Sequence, residues 1–199
     1  MPYIGLKNPY FGPLESDGKD GAVYGTPIKL GGAVAANMTV TTASGEFYSD
    51  DALTENVSEF VSALIAMELS DLDDEPCVVV LHATKGEDGE LRYNVNDVYP
   101  FGGIGYYKRI MKDGKVSFKA FFYPKCKAAP VDDKGQTKSN SVTFQTSTVN
   151  FTVYAPASGD WKMTQTFDNE ADALAWVLKK YGADNPPQEP GGSGEEASV

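Results

Sequence analysis

Alternation of apolar and polar residues is the main pattern of this chain, and it predicts a protein built mostly of β-strands. From Ala33 to Thr42, apolar side chains recur at every second position while small or polar residues fill the other positions. Successive side chains of a strand point to opposite faces, so this spacing predicts a half-buried strand. Similar strands are predicted at Leu91–Val98, Ile104–Met111, Val116–Tyr123 and Val142–Tyr154.

Residues typical of turns and strand ends separate these predicted strands. Asp113 and Gly114 accept the positive φ that a two-residue hairpin turn needs, so they predict a hairpin between two of the strands. Pro124 lacks an N–H group for a strand ladder and predicts the end of the second strand. Between Phe144 and Val149 the apolar residues change phase, which predicts either a bulge or a strand face that changes neighbours.

The segment Val57–Leu69 fits two different structures. Its apolar residues can be placed on one helical stripe, but most of them also fit the two-residue period of a strand. The residues alone favour the helix slightly and leave both alternatives open.

One helix is predicted clearly, at residues 169–181. Its apolar residues share one face, Asp168 can cap its N-terminus, and Gly182 follows its last turn. Residues 1–30 contain many glycines and prolines among aromatic residues, which predicts an extended arm or a hairpin. Residues 31–183 then form the main domain, and the acidic Pro/Gly/Ser-rich residues 184–199 are predicted to be disordered.

Charge and cysteine content restrict the function. The 199 residues have a formal net charge of −11, whereas proteins that grip nucleic acid need stripes of lysine and arginine. The same charge disfavours docking on an anionic membrane, and we expect neither a membrane span nor a secretory signal. Two cysteines, Cys77 and Cys126, fit reduced cytoplasmic folding, and we expect them to be buried.

None of the candidate catalytic and metal-binding motifs has the residues and the spacing that its chemistry requires. His82 is the single histidine and follows an apolar run, so we expect it to be mostly buried rather than catalytic. Asp71–Glu75 resembles half a calcium loop, but Pro76 occupies the position that needs glycine. The glycines in Phe101–Gly105 lack the spacing of a dinucleotide loop. We therefore expect no catalytic residue, no metal site, no cofactor and no enzymatic activity.

Several segments, in their order and spacing, carry a family resemblance that covers roughly residues 1–183. The segments are Ile4–Lys7, Phe47–Asp51, Asn96–Lys108, Phe121–Lys125, Thr137–Lys138, Val142–Thr146, Gly159–Lys162, Thr166–Asp168 and Ala173–Trp176. Together they resemble the major tail proteins, also called tail tube proteins, of bacteriophages with long non-contractile tails. Leu64, Ile65 and Met67 depart from the pattern, because such proteins usually show more threonine and glycine there.

The resemblance implies a β-sandwich or barrel-like fold with a flanking helix, an N-terminal arm and an extended loop. It implies a structural virion protein that is assembled in the host cytoplasm into stacked hexameric rings, which form a tube for viral DNA ejection. In such a fold Val57–Leu69 is a strand. The implied partners are other copies of the chain, a tape measure protein, a tail terminator and a distal tail protein, with DNA passing through without specific binding.

Two sets of residues are candidates for these roles. Subunit contacts are predicted for Tyr3, Tyr10, Phe11, Tyr48, Asp50 and Asp51. An acidic lumen would repel phosphate and let DNA slide. The strands Ala33–Thr42 and Val57–Leu69 are predicted to line this lumen, and Glu59 and Glu68 of the second strand are the candidates to face it. The alternatives are a monomeric β-sandwich that binds carbohydrate or another ligand, and a tail terminator or adaptor that forms a single ring.

Overall fold

The computed structural model describes residues 3–49, 52–130 and 146–182, with the backbone alone described at residues 46–49 and 52–56. The strands in these ranges are β1 (Tyr3–Gly18), β2 (Gly21–Tyr24), β3 (Ile28–Lys29), β4 (Ala33–Ser49), β5 (Ala52–Leu69), β6 (Thr84–Lys85), β7 (Leu91–Arg92), β8 (Phe101–Lys112), β9 (Lys115–Ala128), β10 (Ser147–Val153) and β11 (Met163–Phe167). The helices are α1 (Asp74–Val80) and α2 (Glu170–Lys179). The predicted mainly β fold with a C-terminal helix is confirmed.

Nine of these strands form one large antiparallel sheet in the described part of the chain. The strand order is β2-β1-β8-β9-β10-β5-β4, with β3 attached to β1 and β11 attached to β9. The two short strands β6 and β7 pair separately as a second, small sheet. The order leaves β4 as the last strand at one end of the large sheet.

The large sheet curls, so that one of its faces encloses the first hydrophobic core. Strands β1 and β4 come from opposite ends of the order, yet they lie in contact. The Lys108 ammonium on β8 donates to the Ala36 carbonyl on β4 at 3.2 Å. Inside, the rings of Phe11 and Phe151 lie 6.0 Å apart, and Cys77 and Val80 of α1 pack into the same core.

Helix α2 covers the opposite face of the sheet at β8 and β9 and forms a second core. Ala173, Val177 and Leu178 pack there with Tyr107 and Phe122. The helix was predicted correctly, but its cap was not. The Asn169 side chain, not Asp168, accepts a hydrogen bond from the Asp172 N–H at 2.8 Å, because Asn169 is the residue with extended backbone before the first turn.

Val57–Leu69 is a strand, as the resemblance implied and contrary to the slight preference of the residues for a helix. Thr41 pairs with Ser62 and Thr42 with Phe60, so Val61 is an extra residue in a bulge. The bulge changes the phase of the side chains, and Phe60 thereby packs against the same core as Ala63. Val57, Val61 and Leu64, which together with Ile65 suggested a helical stripe, are exposed.

Pro124 does not end its strand, contrary to the prediction. The hairpin turn before β9 is confirmed, with φ of 51° at Asp113 and 76° at Gly114. Gly102 pairs with Cys126 and Ile104 with Tyr123, so Pro124 lies in a two-residue bulge opposite one residue of β8. A bulge needs no ladder hydrogen bond from the proline nitrogen, and the strand therefore continues to Ala128.

Two other predictions were wrong. The strand predicted at Leu91–Val98 stops at Arg92, because the Asp97 carboxylate accepts the Asn94 N–H at 2.6 Å and the Asn94 side chain accepts the Asn96 N–H at 2.9 Å. His82 is exposed rather than buried, since it turns the chain after α1 with φ of 56°. Of the strand predicted at Val142–Tyr154, the structure has Ser147–Val153, and residues 142–145 lie outside the described residues.

Candidate functional site

The two strands predicted to face a lumen are direct neighbours and form one long hairpin. Strand β4 pairs with β5 from Ala33 opposite Leu69 to Ser49 opposite Ala52. Strand β10 pairs with the other edge of β5, from Ser147 opposite Leu69 to Val153 opposite Ala63. These three strands therefore form one continuous surface at the end of the sheet.

One face of these three strands packs into the first core, and the other face is accessible. Ile65 and Met67 are fully buried, so their neighbours along β5 point to the opposite side. We call this opposite side the outer sheet face. It consists of Ala35, Asn37, Thr39, Thr41, Ser62, Leu64, Ala66, Glu68, Thr148, Asn150 and Thr152. None of these side chains is buried, whereas α2 covers the same side of the sheet at β8 and β9.

Glu59 and Glu68 lie on the same side of the hairpin. Glu68 pairs with Ala35 and Glu59 pairs with Ala43, and paired residues of antiparallel strands share a face. The even separation of Ala35 and Ala43 along β4 keeps both pairs on the outer side. At 3.3 Å per residue, the backbone positions of the two glutamates are separated by about 26 Å along the strand direction.

The hairpin has no basic residue at all. Between Ala33 and Leu69 the sequence contains no lysine or arginine, and its acidic residues are Glu46, Asp50, Asp51, Glu55, Glu59 and Glu68. The outer sheet face is otherwise made of small or uncharged side chains. A surface of this kind repels phosphate groups and offers them no ion pair.

The outer edge of β4 has no strand partner in the part of the chain that the structure describes. Strand β4 ends the order of the large sheet and extends from Ala33 to Ser49. From Ala33 to Gly45 it has neither charged residues nor proline, the usual means of blocking an edge. Apart from the Ala36 carbonyl, which accepts from Lys108, the N–H and C=O groups along this edge can therefore pair with a strand of another molecule.

The residues predicted for subunit contacts are divided by the structure. Tyr10 and Phe11 are buried in the chain itself, at 6% and 0% exposure, because β1 is built into the large sheet between β8 and the pair β2 and β3. That placement corrects their assignment to a surface. Tyr3 is exposed at the start of β1, and Tyr48 lies opposite Leu53 in the hairpin. Asp50 and Asp51 lie outside the described residues.

The chain matches no protein-family model, and no curated protein matches it significantly. No helix in the described ranges is both long and apolar enough to cross a bilayer. The same ranges contain no group of three histidine, cysteine or acidic side chains placed to hold a metal ion.

Both cysteines are buried and free, as predicted. Cys77 is on α1, and Cys126 is on β9 with its thiol donating to the Gly102 carbonyl at 3.0 Å. Burial raises the pKa of the Cys126 thiol far above its usual value. Neither thiol is placed as an exposed nucleophile.

Two features of the surface were missed by reasoning from the sequence. The lack of basic residues from Ala33 to Leu69 was visible in the sequence, but only the net charge was considered. The contribution of β10, through Thr148, Asn150 and Thr152, had no local sequence signal. It depends on the pairing of β10 with β5, which are far apart along the chain.

Proposed function

We propose that this chain is a structural subunit that joins copies of itself into stacked hexameric rings, forming a tube of the kind built by the phage tail proteins that it resembles. The observation that supports the proposal is the β4–β5 hairpin. It combines a long edge that has no strand partner among the described residues with an accessible face that has carboxylates and no basic groups.

The edge of β4 supplies the lateral contact in this proposal. A sheet edge that pairs with a different surface of the next copy gives a heterologous contact, and such contacts close into a ring when the rotation per copy allows it. Backbone pairing needs no particular side chains, so the uncharged run from Ala33 to Gly45 suits this role. A second contact, between rings, then repeats without closing.

The outer sheet face lines the tube in this proposal. Duplex DNA has about one negative charge per 1.7 Å of its axis, and a basic lumen would hold it by releasing counterions. A lumen that presents threonine, serine, alanine and asparagine with Glu59 and Glu68 gives DNA no such contacts. The same lumen would hold a tape measure protein before ejection, and terminator and distal tail proteins would close the two ends.

Electron microscopy of the concentrated, purified chain tests the proposal. We expect hollow tubes; single rings support a terminator or adaptor, and uniform small particles at every concentration support a monomeric binding module. A matched pair of variants tests the edge. Thr39 on β4 and Leu64 on β5 face each other on the outer sheet face, and both are exposed. Thr39→Lys places a charge on the edge strand and should stop assembly, whereas Leu64→Lys, one strand further in, should still give tubes.

A further inference from the structure

Three lysines converge on one aromatic ring at the rim of the first core. The ammonium groups of Lys108, Lys119 and Lys162 each lie 5.7 Å from the centre of the Phe121 ring. Lys108 and Lys119 are paired directly across β8 and β9, on the side of the sheet that faces the first core. We call these three residues the lysine cluster.

The cluster has no carboxylate partner in the part of the chain that the structure describes. The ion pairs found there involve other lysines and arginines, and Lys108 donates instead to the Ala36 carbonyl. Like charges directly opposite each other in a sheet are destabilising. Burial lowers the pKa of Lys108 and of Lys162, and the neighbouring charges of Lys162 and Lys119 respectively lower them further. In a chain with 28 acidic residues, this arrangement is suited to an anion from outside.

Aromatic rings surround the cluster and connect it to the base of the β4–β5 hairpin. The ring of Tyr3 lies 5.2 Å from the Lys108 ammonium, and the ring of Trp161 lies 5.8 Å from that of Lys162. Trp161 in turn stacks on Phe60 of β5, with ring centres 4.2 Å apart and planes 10° apart. The cluster therefore lies beside the point where the hairpin leaves the body of the protein.

The β4–β5 hairpin extends away from this point. From Phe60 to Ala52 the strand continues for eight residues, which corresponds to about 26 Å at 3.3 Å per residue. The side chains from Thr39 to Gly45 and from Val57 to Glu59 are exposed, so the hairpin extends beyond the body. The stretch Glu46–Glu55 contains four acidic residues and no basic residue. The backbone at Ala52 therefore lies far along the strand from its own Phe60 and from the cluster beside it.

We propose that the lysine cluster receives the acidic stretch Glu46–Glu55 of a second copy of this chain. This inference rests on the proposed function and gives the contact between subunits a specific electrostatic partner. Carboxylates from the neighbour would relieve the repulsion among the three ammonium groups, in a rim where aromatic rings limit screening by water. The positive charge of the lysine cluster is therefore balanced by the acidic stretch of another copy and not by a carboxylate of the same copy.

A binding experiment that does not need assembled tubes tests this contact. A synthetic peptide with the sequence of residues 45–56 is titrated into the full chain by calorimetry, alongside a peptide in which the four acids are replaced by amides. We expect only the acidic peptide to bind, and Lys119→Gln/Lys162→Gln should weaken its binding by about tenfold or more. The exposed pair Lys112→Gln/Lys115→Gln has the same change in charge and should bind as the unaltered chain does.

Folding and competing ligands are controlled in the same experiment. Removing two unpaired, partly buried charges should leave the melting temperature of the Lys119→Gln/Lys162→Gln chain unchanged or raised, so a loss of binding is not a loss of fold. Equal binding of both peptides, or unaltered binding to the glutamine variant, would overturn the inference. So would saturation of the cluster by duplex DNA or inorganic phosphate without any binding of the acidic peptide.

The assembly assay separates this inference from the proposed function. If the unaltered chain forms tubes, Lys119→Glu/Lys162→Glu and Asp50→Lys/Asp51→Lys should each prevent them, and the two changes combined in one chain should restore them. Tubes from the first variant alone would refute the lysine contact and leave the proposed function intact. Peptide binding by a chain that never forms tubes would support the contact and count against the tube.

Discussion

The Tyr181 hydroxyl donates a hydrogen bond to the main-chain carbonyl of Tyr10 at 2.8 Å and also lies 3.2 Å from the carbonyl of Gly103. This contact joins the residue just after α2 to the first strand of the sheet. Both tyrosines are buried, so the contact holds the helix over the sheet where water cannot compete. It adds to the pairing of β1 with β8, β2 and β3, which builds the N-terminal strand into the sheet.

Removing this hydroxyl should destabilise the chain measurably. Tyr181→Phe leaves the buried Tyr10 carbonyl without this donor, and we expect a loss of about 1–2 kcal/mol in the free energy of unfolding, measured by urea denaturation. The control is Tyr154→Phe, because that side chain is exposed. Equal stability of Tyr181→Phe and the unaltered chain would show that the contact adds nothing.

Gly102 should tolerate no side chain. A Cβ atom there would lie 2.6 Å from the Gly12 carbonyl oxygen and would also clash with the Phe11 ring. Because a backbone atom cannot move aside, Gly102→Ala should cost about 2–3 kcal/mol in the free energy of unfolding. Gly5→Ala is the matched control, since nothing lies within 4 Å of its added methyl group. A thermal melt of both variants decides the matter, and equal melting temperatures would contradict the packing described.

The ion pair between Asp17 and Lys125 should make stability depend on pH in the acid range. The Lys125 ammonium lies 2.7 Å from the Asp17 carboxylate, and this hydrogen bond is the main cause that lowers the pKa of Asp17 below its usual value near 3.8. A lowered pKa in the folded state gives a stabilising contribution that is complete above the unfolded-state pKa. It is lost as the pH falls through the folded-state pKa.

Asp17→Asn isolates this effect, because an amide oxygen can still accept the Ala157 N–H that Asp17 accepts at 2.9 Å. We expect the variant to be less stable than the unaltered chain at pH 7, by at most about 1 kcal/mol, and equally stable at a pH below the folded-state pKa. Asp20→Asn removes an exposed carboxylate and serves as the control. A stability difference that does not change with pH would exclude the ion pair as its source.

The charge of the outer sheet face should control how a tube interacts with DNA. In tubes of Glu59→Lys/Glu68→Lys we expect retained duplex DNA that is released as salt is raised, because lysines that neutralise phosphates release counterions. Tubes of Glu87→Lys/Asp88→Lys have the same net charge but are altered in an exposed segment between β6 and β7. A gel-retardation series in increasing salt compares the two. Equal retention by both would place the two glutamates away from the lumen.

The sequence predicted most of the strands because alternation is a local property, as in Ala33–Thr42 and Val116–Tyr123. The prediction failed where the conformation of one strand depends on its pairing with another strand. The bulges at Val61 and Pro124 exist because of the pairing with β4 and β8, and no local pattern specifies that pairing. The loop after Arg92 is a different failure, since the side chains of Asn94 and Asp97 accept hydrogen bonds from nearby backbone N–H groups and thereby replace strand pairing.

For the candidate site, local reasoning found the two strands but not the surface that they form. The shared orientation of Glu59 and Glu68 depends on the bulge at Val61, because without it the two residues would point to opposite faces of the hairpin. The convergence of Lys108, Lys119 and Lys162 was equally invisible. It requires the register of β8 against β9 and the path of the chain before β11.

The rate at which the two buried thiols are alkylated should report the local opening of the structure around each of them. Cys77 is attached to α1 and Cys126 to a central strand, so an alkylating reagent reaches them only when the corresponding element separates from the core. If the helix detaches before the sheet opens, Cys77 is labelled first and mass spectrometry resolves the two rates. If the chain is incorporated into a larger particle, a neighbouring subunit would hold one of these elements in place. The cysteine in that element would then be labelled more slowly.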